Sequence, residues 1–192
     1  MNNIAFIDLE IDGRGKIVDA GAVKAGKSIH TSRIAEFVAF ISDADYLCGH
    51  NIIEHDYKYL KSFLPKDYAL IDTLYLSPLL FPRKPYHRLL KDDKLLSDEL
   101  NNPLNDAVKA KELFEDEVNA FNNIDKRMQQ IYYELTASDI HFKGFFDQVG
   151  YSPDWRPFFL KKSTADSVKE VLAGKICANA DVNAAVKNSK IE

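Results

Sequence analysis

Residues 3–11, Asn-Ile-Ala-Phe-Ile-Asp-Leu-Glu-Ile, form the stretch of sequence that decides the fold. Their branched apolar side chains predict a β-strand. The turn signal at residues 12–15 and the apolar stretch Lys16–Lys24 predict a second strand that pairs with the first. Gly26 precedes a third strand candidate at Ser28–Thr31. We therefore expect an antiparallel meander, an arrangement with which many α/β folds begin.

Short strands and helices alternate in the next part of the chain. The apolar stretches Tyr46–Gly49 and Ala69–Asp72 predict two more strands. Apolar residues at helical spacing predict helices at Ser32–Ile41, Asn51–Leu64, Thr73–Phe81 and Asn105–Phe121. The pattern predicts an α/β fold with a five-stranded mixed sheet flanked by helices.

The sequence pattern becomes helical throughout beyond residue 122, with the best helix candidates at Ile124–Leu135, Asp139–Val149 and Ser163–Leu172. We therefore divide the chain into a core at residues 1–122 and a helical extension at residues 123–192. Residues 174–192 have no natural ending, which suggests a domain taken from a longer protein.

The composition indicates a globular protein, since 46% of the 192 residues are hydrophobic and 28% are charged. No apolar run is long enough to cross a bilayer, and the N-terminus lacks a positively charged signal region. The two cysteines, Cys48 and Cys177, belong to no zinc pattern. A reduced cytoplasmic location without a membrane partner is therefore expected.

The net charge of −4 does not favour a protein that holds nucleic acid by charge alone. An acidic balance does fit an enzyme that gathers carboxylates around divalent cations and meets phosphate through the metal. The total charge neither supports nor excludes a nucleic-acid substrate.

Carboxylates occur in three places that could serve one site. Asp8 and Glu10 lie two residues apart on the first strand, so both side chains point to the same face. Two adjacent carboxylates on an apolar strand repel each other and resist burial, and a divalent cation removes that penalty. The alternative is that both lie on the solvated face of an edge strand.

The second and third places are helix starts. In Gly49–Asp56, the glycine allows a tight turn, Asn51 is a natural helix N-cap, and Asp56 follows near the positive helix end. Asn102 or Asn105 caps the third start, Pro103 rigidifies it, and Asp106 falls in the first turn. Taken singly, each is ordinary capping chemistry.

The four acids together favour a shared function. Two-metal phosphoryl transfer requires carboxylates that converge on ions roughly 3.5–4 Å apart. Asp8, Glu10, Asp56 and Asp106 supply such a set from one strand and two helices.

In these motifs the sequence resembles the DnaQ-like (DEDD) exonucleases, which have a ribonuclease-H-like fold. The resemblance covers residues 3 to about 120 and rests on four segments in order: Phe6–Glu10, Gly49–Asp56, Ile71–Leu74 with Leu80–Pro82, and Leu104–Ala107. It implies that Asp8, Glu10, Asp56 and Asp106 bind two Mg²⁺ or Mn²⁺ ions, with Asp8 between them. The implied reaction is metal-dependent hydrolysis of the 3′-terminal phosphodiester, which releases nucleoside monophosphates.

The sequence departs from this family at the general base. The family carries a His five residues, or a Tyr four residues, before the last Asp, where this chain has Asn101 and Asn102. An amide has no useful proton affinity. Three explanations stay open: His87 acts as the base, metal-bound hydroxide forms without a protein base, or catalysis has been lost. Retention of all four acids favours a working enzyme, and a slow one if no base replaces the usual residue.

Several residues are candidates to contact the substrate, a nucleic acid with a free 3′ end, with DNA favoured over RNA. Four of them lie beside the acids in the sequence: Ile11, Asn51, Asn101 and Asn102. Three belong to a basic segment that could guide the strand, with an aromatic ring for stacking: Arg83, Lys84 and Tyr86. A solvated loop is an equal alternative for that segment.

A narrower resemblance concerns Leu80–His87, Asn102–Asp106 and Gly174–Cys177, which are similar to segments of bacterial proteins that join an exonuclease to a RecQ-family helicase. It implies a covalently linked helicase as partner, with the helical extension as connector. The competing interpretation is a catalytically weak or inactive module on the same fold that binds nucleic acid or a protein partner.

Overall fold

The computed structural model describes residues 3–89, 102–152, 164–177 and 179–189. Five strands form one mixed sheet: β1 (Ile4–Ile11), β2 (Ile17–Lys24), β3 (Lys27–Thr31), β4 (Tyr46–Gly49) and β5 (Ala69–Asp72). The strand order is β3-β2-β1-β4-β5, with antiparallel pairing of β1, β2 and β3 and parallel pairing of β1, β4 and β5. The predicted five-stranded mixed sheet is confirmed, and β1 is its central strand.

Helices flank this sheet, as the sequence predicts. They are α1 (Ile34–Ile41), α2 (Asp56–Leu60), α3 (Thr73–Leu80), α4 (Pro103–Asn123), α5 (Lys126–Thr136), α6 (Ile140–Val149), α7 (Ala165–Val171) and α8 (Val182–Asn188). A short 3₁₀ helix, Lys61–Phe63, follows α2. Two differences stand out. The helix predicted from Asn51 begins only at Asp56, and the sequence analysis did not predict α8. The predicted start at Ser163 lies outside the described residues.

Side chains of β1 alternate between two cores. Ala5, Ile7 and Leu9 are buried in one core, together with Phe37 and Ile41 of α1. Phe6 belongs to the other core, which contains aromatic residues of α4 and α6: Phe114, Phe121, Phe145 and Phe146. Both faces of the central strand are therefore covered by helices.

Two glycines allow helices to approach the sheet backbone closely. A Cβ atom at Gly21 of β2 would overlap the backbone of Leu104 in the first turn of α4. A Cβ atom at Gly144 of α6 would overlap the carbonyl of Leu70 on β5. The absence of a side chain at these positions thus fixes where α4 and α6 sit.

The helices after residue 123 add packing at one side of the sheet and beyond it. α6 covers β5 through the Gly144 contact, and a third apolar cluster joins Ile131 of α5, Val168 of α7 and Val182 of α8. Within the described ranges, no helix is long and apolar enough to span a membrane.

Candidate active site

Asp8 and Glu10 lie on the α4 side of the sheet. Their neighbours Ile7 and Leu9 are buried in the core on the other side, so the predicted alternation along β1 is confirmed. Both acidic residues are half-buried. Two carboxylates therefore stand side by side on the central strand of a sheet that is covered on both faces, and not on an edge strand.

Asp56 reaches the same part of β1 through a hydrogen bond. The Leu9 N–H donates to Asp56 Oδ1 at 2.9 Å. This N–H is accessible because β4 pairs with β1 only from Ile4 to Phe6, which leaves the later backbone of β1 open on that side. The carboxylate of Asp56 is thereby fixed against the backbone between Asp8 and Glu10.

The Asp56 side chain is almost completely buried, with 1% of its surface exposed. Burial raises the pKa of Asp56, while the contacts with His55 and the Leu9 N–H act in the opposite direction. A buried carboxylate with a raised pKa is characteristic of functional sites, although structural networks can produce it too.

A second buried carboxylate, Asp72, organises the loop that leads to Asp56. It accepts hydrogen bonds from the backbone N–H groups of Asn51 (2.9 Å), Ile53 (3.1 Å) and Leu74 (3.0 Å). Asp72 is fully buried, and burial raises its pKa, whereas the three N–H donors lower it. The loop from Asn51 to Asp56 is therefore anchored to the end of β5.

The prediction that Asn51 caps a helix is wrong. Asn51 adopts a left-handed backbone conformation with φ of 68°, and its N–H is bound by Asp72. The helix α2 begins five residues later, at Asp56. The long-range bonds of Asp72 hold residues 51–53 in a non-helical turn, and this outweighs the local capping preference of asparagine.

At the start of α4 the structure selects Asn102 of the two predicted caps, and the helix begins at Pro103, two residues before the predicted start at Asn105. The Asn102 side chain accepts hydrogen bonds from the N–H groups of Leu104 (3.0 Å) and Asn105 (3.3 Å), Pro103 is the first helical residue, and Asp106 lies in the first turn. Gly21, which contacts Leu104, is the cross-strand partner of Asp8. Directly opposed residues share a face, so the first turn of α4 lies on the Asp8 side of the sheet.

His55 joins this site, which the sequence analysis did not predict. Its Nδ1 lies 3.6 Å from Asp56 Oδ1, and its ring packs edge-on against Tyr59. The contact with Asp56 is the main cause that raises the pKa of His55, and the charge of Glu10 contributes. One signal in the sequence is that His55 directly precedes Asp56, a candidate metal ligand.

His50, which directly precedes Asn51 in the sequence, lies beside the start of α3. Its Nδ1 contacts Thr73 Oγ1 at 2.9 Å, and its buried Nε2 has no hydrogen-bond partner among the described residues. Burial, and then the charge of His87, lower the pKa of His50 to about 4. His50 is therefore neutral at physiological pH.

The other predicted substrate and base candidates are distributed differently. His87 Nδ1 pairs with Ser77 Oγ at 2.9 Å, while Arg83, Lys84 and Tyr86 are exposed on the same loop. Ile11 packs against the core on the α1 side, so the structure does not bring it to the face of Asp8 and Glu10. Asn101 lies outside the described residues.

The donor chemistry at this site fits hard divalent cations, since Mg²⁺ and Mn²⁺ prefer oxygen ligands. In the part of the chain that the structure describes, however, no three His, Cys, Asp or Glu side chains converge closely enough to form a metal-binding group. Shared coordination of metal ions would therefore require the carboxylate side chains to rotate toward one another.

Comparison of the chain with protein-family models and with curated proteins finds no match.

Proposed function

We propose that the chain is a metal-dependent 3′→5′ exonuclease of the DnaQ-like type, built on a ribonuclease-H-like fold. The observation that carries the proposal is the hydrogen bond from the Leu9 N–H to Asp56, which joins the second carboxylate motif to the first. The five-stranded mixed sheet is compatible with that fold. The first turn of α4 brings the third motif to the same side of the sheet.

Asp8, Glu10, Asp56 and Asp106 would hold two Mg²⁺ or Mn²⁺ ions. When bound, such ions lower the pKa of a water nucleophile and stabilise charge on the leaving oxygen. Asp72 acts as a positioning residue, because its three backbone hydrogen bonds fix the loop that carries Asp56.

The proposed reaction also needs a proton acceptor. The side-chain oxygen of Asn102 is engaged in capping α4. His87 stays a candidate base. Its Nδ1 is engaged with Ser77, so Nε2 is the atom that would take the proton.

The proposal is tested with a 5′-labelled oligonucleotide incubated with Mg²⁺, with Mn²⁺ or with EDTA. Wild type is expected to shorten it stepwise only with a divalent cation, and Asp8→Asn is expected to lose about 10²-fold or more of this activity. Asp116→Asn is a matched control, because Asp116 is an exposed carboxylate on α4. DNA and RNA versions of the oligonucleotide compare the two substrates.

Binding of the oligonucleotide by folded wild type, without shortening in either metal, would contradict the proposal. That result would favour the alternative, a binding module on the same fold. A linked helicase and a cytoplasmic location stay predictions from the sequence alone.

A further inference from the structure

A concavity of about 540 Å³ lies between the loop after α3 and the outer side of α4. Its walls carry the cations Lys84, Arg88 and Lys109, the aromatic ring of Tyr86, and the side chains of Glu112 and Leu113. None of the four candidate metal ligands lines it. The candidate base His87 does line it, so the concavity adjoins the candidate active site without containing a candidate metal ligand.

The loop wall of this concavity is attached to α3. His87 Nδ1 pairs with Ser77 Oγ at 2.9 Å, and the Lys84 N–H donates to the Phe81 carbonyl at 2.9 Å. The Lys84 ammonium lies 4.1 Å from the centre of the Phe81 ring. These contacts attach the loop to α3 and the residue that follows it.

The charge of the pocket differs from the charge of the whole chain. Among the described residues that line the pocket, Lys84 and Arg88 face one carboxylate, Glu112, in a protein with a net charge of −4, while the cation Lys109 already interacts with another residue. A concave surface lined mainly by one sign of charge concentrates ligands of the opposite sign. An anionic ligand such as a phosphodiester fits this balance.

The apolar part of the pocket fits a nucleobase. Tyr86 is 77% exposed, which is unusual for a large aromatic side chain and leaves its ring open for stacking. Leu113 adds an apolar surface on the facing helix. Cationic groups beside an open aromatic ring are the combination with which proteins hold single-stranded nucleic acid.

The position of the pocket relates it to the candidate active site. Lys109 follows Asp106 by three residues on α4, so the two side chains are neighbours on the helix surface, roughly one turn apart. A strand whose 3′ end lies at Asp106 can therefore continue into the pocket.

We infer that this pocket binds one nucleotide of a single-stranded tract upstream of the 3′ end, with its phosphate near Lys84 and Arg88 and its base on Tyr86. The inference rests on the proposed function, because the exonuclease reaction defines the 3′ end from which the strand continues. A paired base inside a duplex cannot offer its face to Tyr86, so the pocket selects single strands.

Binding is measured in EDTA by fluorescence anisotropy, with a short 5′-labelled oligothymidine as the probe and the same strand in a blunt duplex for comparison. Tyr86→Ala is expected to weaken single-strand binding roughly tenfold or more, while Tyr86→Phe keeps the affinity. Phe63→Ala is the matched control, because Phe63 is also exposed but lies in the 3₁₀ helix, outside the pocket.

The phosphate contacts are tested with the double variant Lys84→Gln/Arg88→Gln. It is expected to weaken binding and to reduce the salt dependence by roughly one unit for each contact that is lost. Arg14→Gln/Lys27→Gln removes two exposed cations elsewhere and should bind like wild type.

Three results would overturn the inference. They are wild-type affinity in both the Tyr86→Ala and the Lys84→Gln/Arg88→Gln variants, equal binding of duplex and single strand, and competition by deoxythymidine monophosphate as strong as that by the oligonucleotide. The last result would assign the pocket to free nucleotides. If wild type shortens the oligonucleotide with a metal ion but the pocket variants bind it as wild type does, the pocket assignment is refuted and the exonuclease is not. If the pocket variants bind more weakly but wild type shortens nothing, the exonuclease is refuted.

Discussion

The two helix starts that carry Asp56 and Asp106 are built in different ways. Asn102 caps α4 with bonds to residues two and three positions ahead, and Pro103 begins the helix. The loop before α2 is instead held by Asp72, which lies 21 positions from Asn51 and 19 from Ile53. One start is therefore determined locally, and the other by a distant strand.

This difference separates two kinds of energetic cost. Loss of a local cap leaves donors at an exposed helix end, where water replaces the bond. Loss of the Asp72 carboxylate leaves three backbone donors without an acceptor at a buried site. Substitutions at the two helix starts should therefore differ in how much they lower the unfolding free energy.

Asp72→Ala is expected to have the largest effect, a loss of about 3 kcal/mol of unfolding free energy, because three partly buried N–H groups lose their acceptor. Urea unfolding measures this loss. Cleavage should also fall, because Asp56 is no longer positioned. If Asp72→Ala and Asn102→Ala lowered the unfolding free energy by similar amounts, the two helix starts would not differ in their energetic cost.

Glu117 adds a pH dependence to the region around Asp72. Both of its buried carboxylate oxygens lack a hydrogen-bond partner among the described residues. Burial, and then the charge of Asp72, raise the pKa of Glu117 to about 10 from its ordinary 4.5. Between these values the unfolded chain releases a proton that the folded protein keeps, so stability falls as pH rises, by at most about 1.4 kcal/mol per pH unit.

Glu117→Gln should remove this dependence. Between pH 6 and pH 8, wild type is expected to lose about 2 kcal/mol more than the variant in urea unfolding. Glu170→Gln, at an exposed position on α7, should follow wild type. Equal pH profiles for wild type and Glu117→Gln would show that the Glu117 carboxyl is not held protonated.

Gly21→Ala tests whether α4 also depends on a distant contact. The added methyl group would overlap the Leu104 backbone, so the helix must shift, at a cost of about 2 kcal/mol. Gly13→Ala is the control, because no atom lies near its added Cβ. Thermal unfolding measures the loss of stability, and the cleavage assay measures how the shift of α4 changes activity. Unchanged stability in Gly21→Ala would refute the close approach.

Asn102→Ala is expected to have the smallest effect, about 1 kcal/mol, which is typical for the loss of an N-cap. Asn102→Asp should keep the cap. Asn105→Ala, at an exposed position three residues later on α4, should change the unfolding free energy by less than about 0.5 kcal/mol. A loss at Asn102→Ala as large as that at Asp72→Ala would mean that the cap also anchors distant structure.

The same distinction explains how much of the molecule the sequence predicts. The five strands and the cap at Asn102 follow from apolar periodicity and local capping chemistry, and β5 was predicted with its observed bounds, Ala69–Asp72. The shared face of Asp8 and Glu10 follows from the two-residue period of a strand.

Features that depend on distant contacts were missed. The sequence cannot show that Asp72 binds the loop at Asn51, or that His55 lies near both Asp56 and Glu10. Helix α8 has only seven residues, so its apolar pair Val182 and Val186 was too short a pattern to predict it. Local patterns thus predict the elements, while the packing of the candidate site requires the tertiary structure.

The most direct test of one shared site is a Mn²⁺ titration monitored by electron paramagnetic resonance, in wild type and in four variants: Asp8→Asn, Glu10→Gln, Asp56→Asn and Asp106→Asn. We expect each variant to weaken Mn²⁺ binding, while Asp116→Asn binds like wild type. Unchanged binding in Asp106→Asn, with weakened binding in Asp8→Asn, would contradict this expectation, since the start of α4 would then lie outside the site.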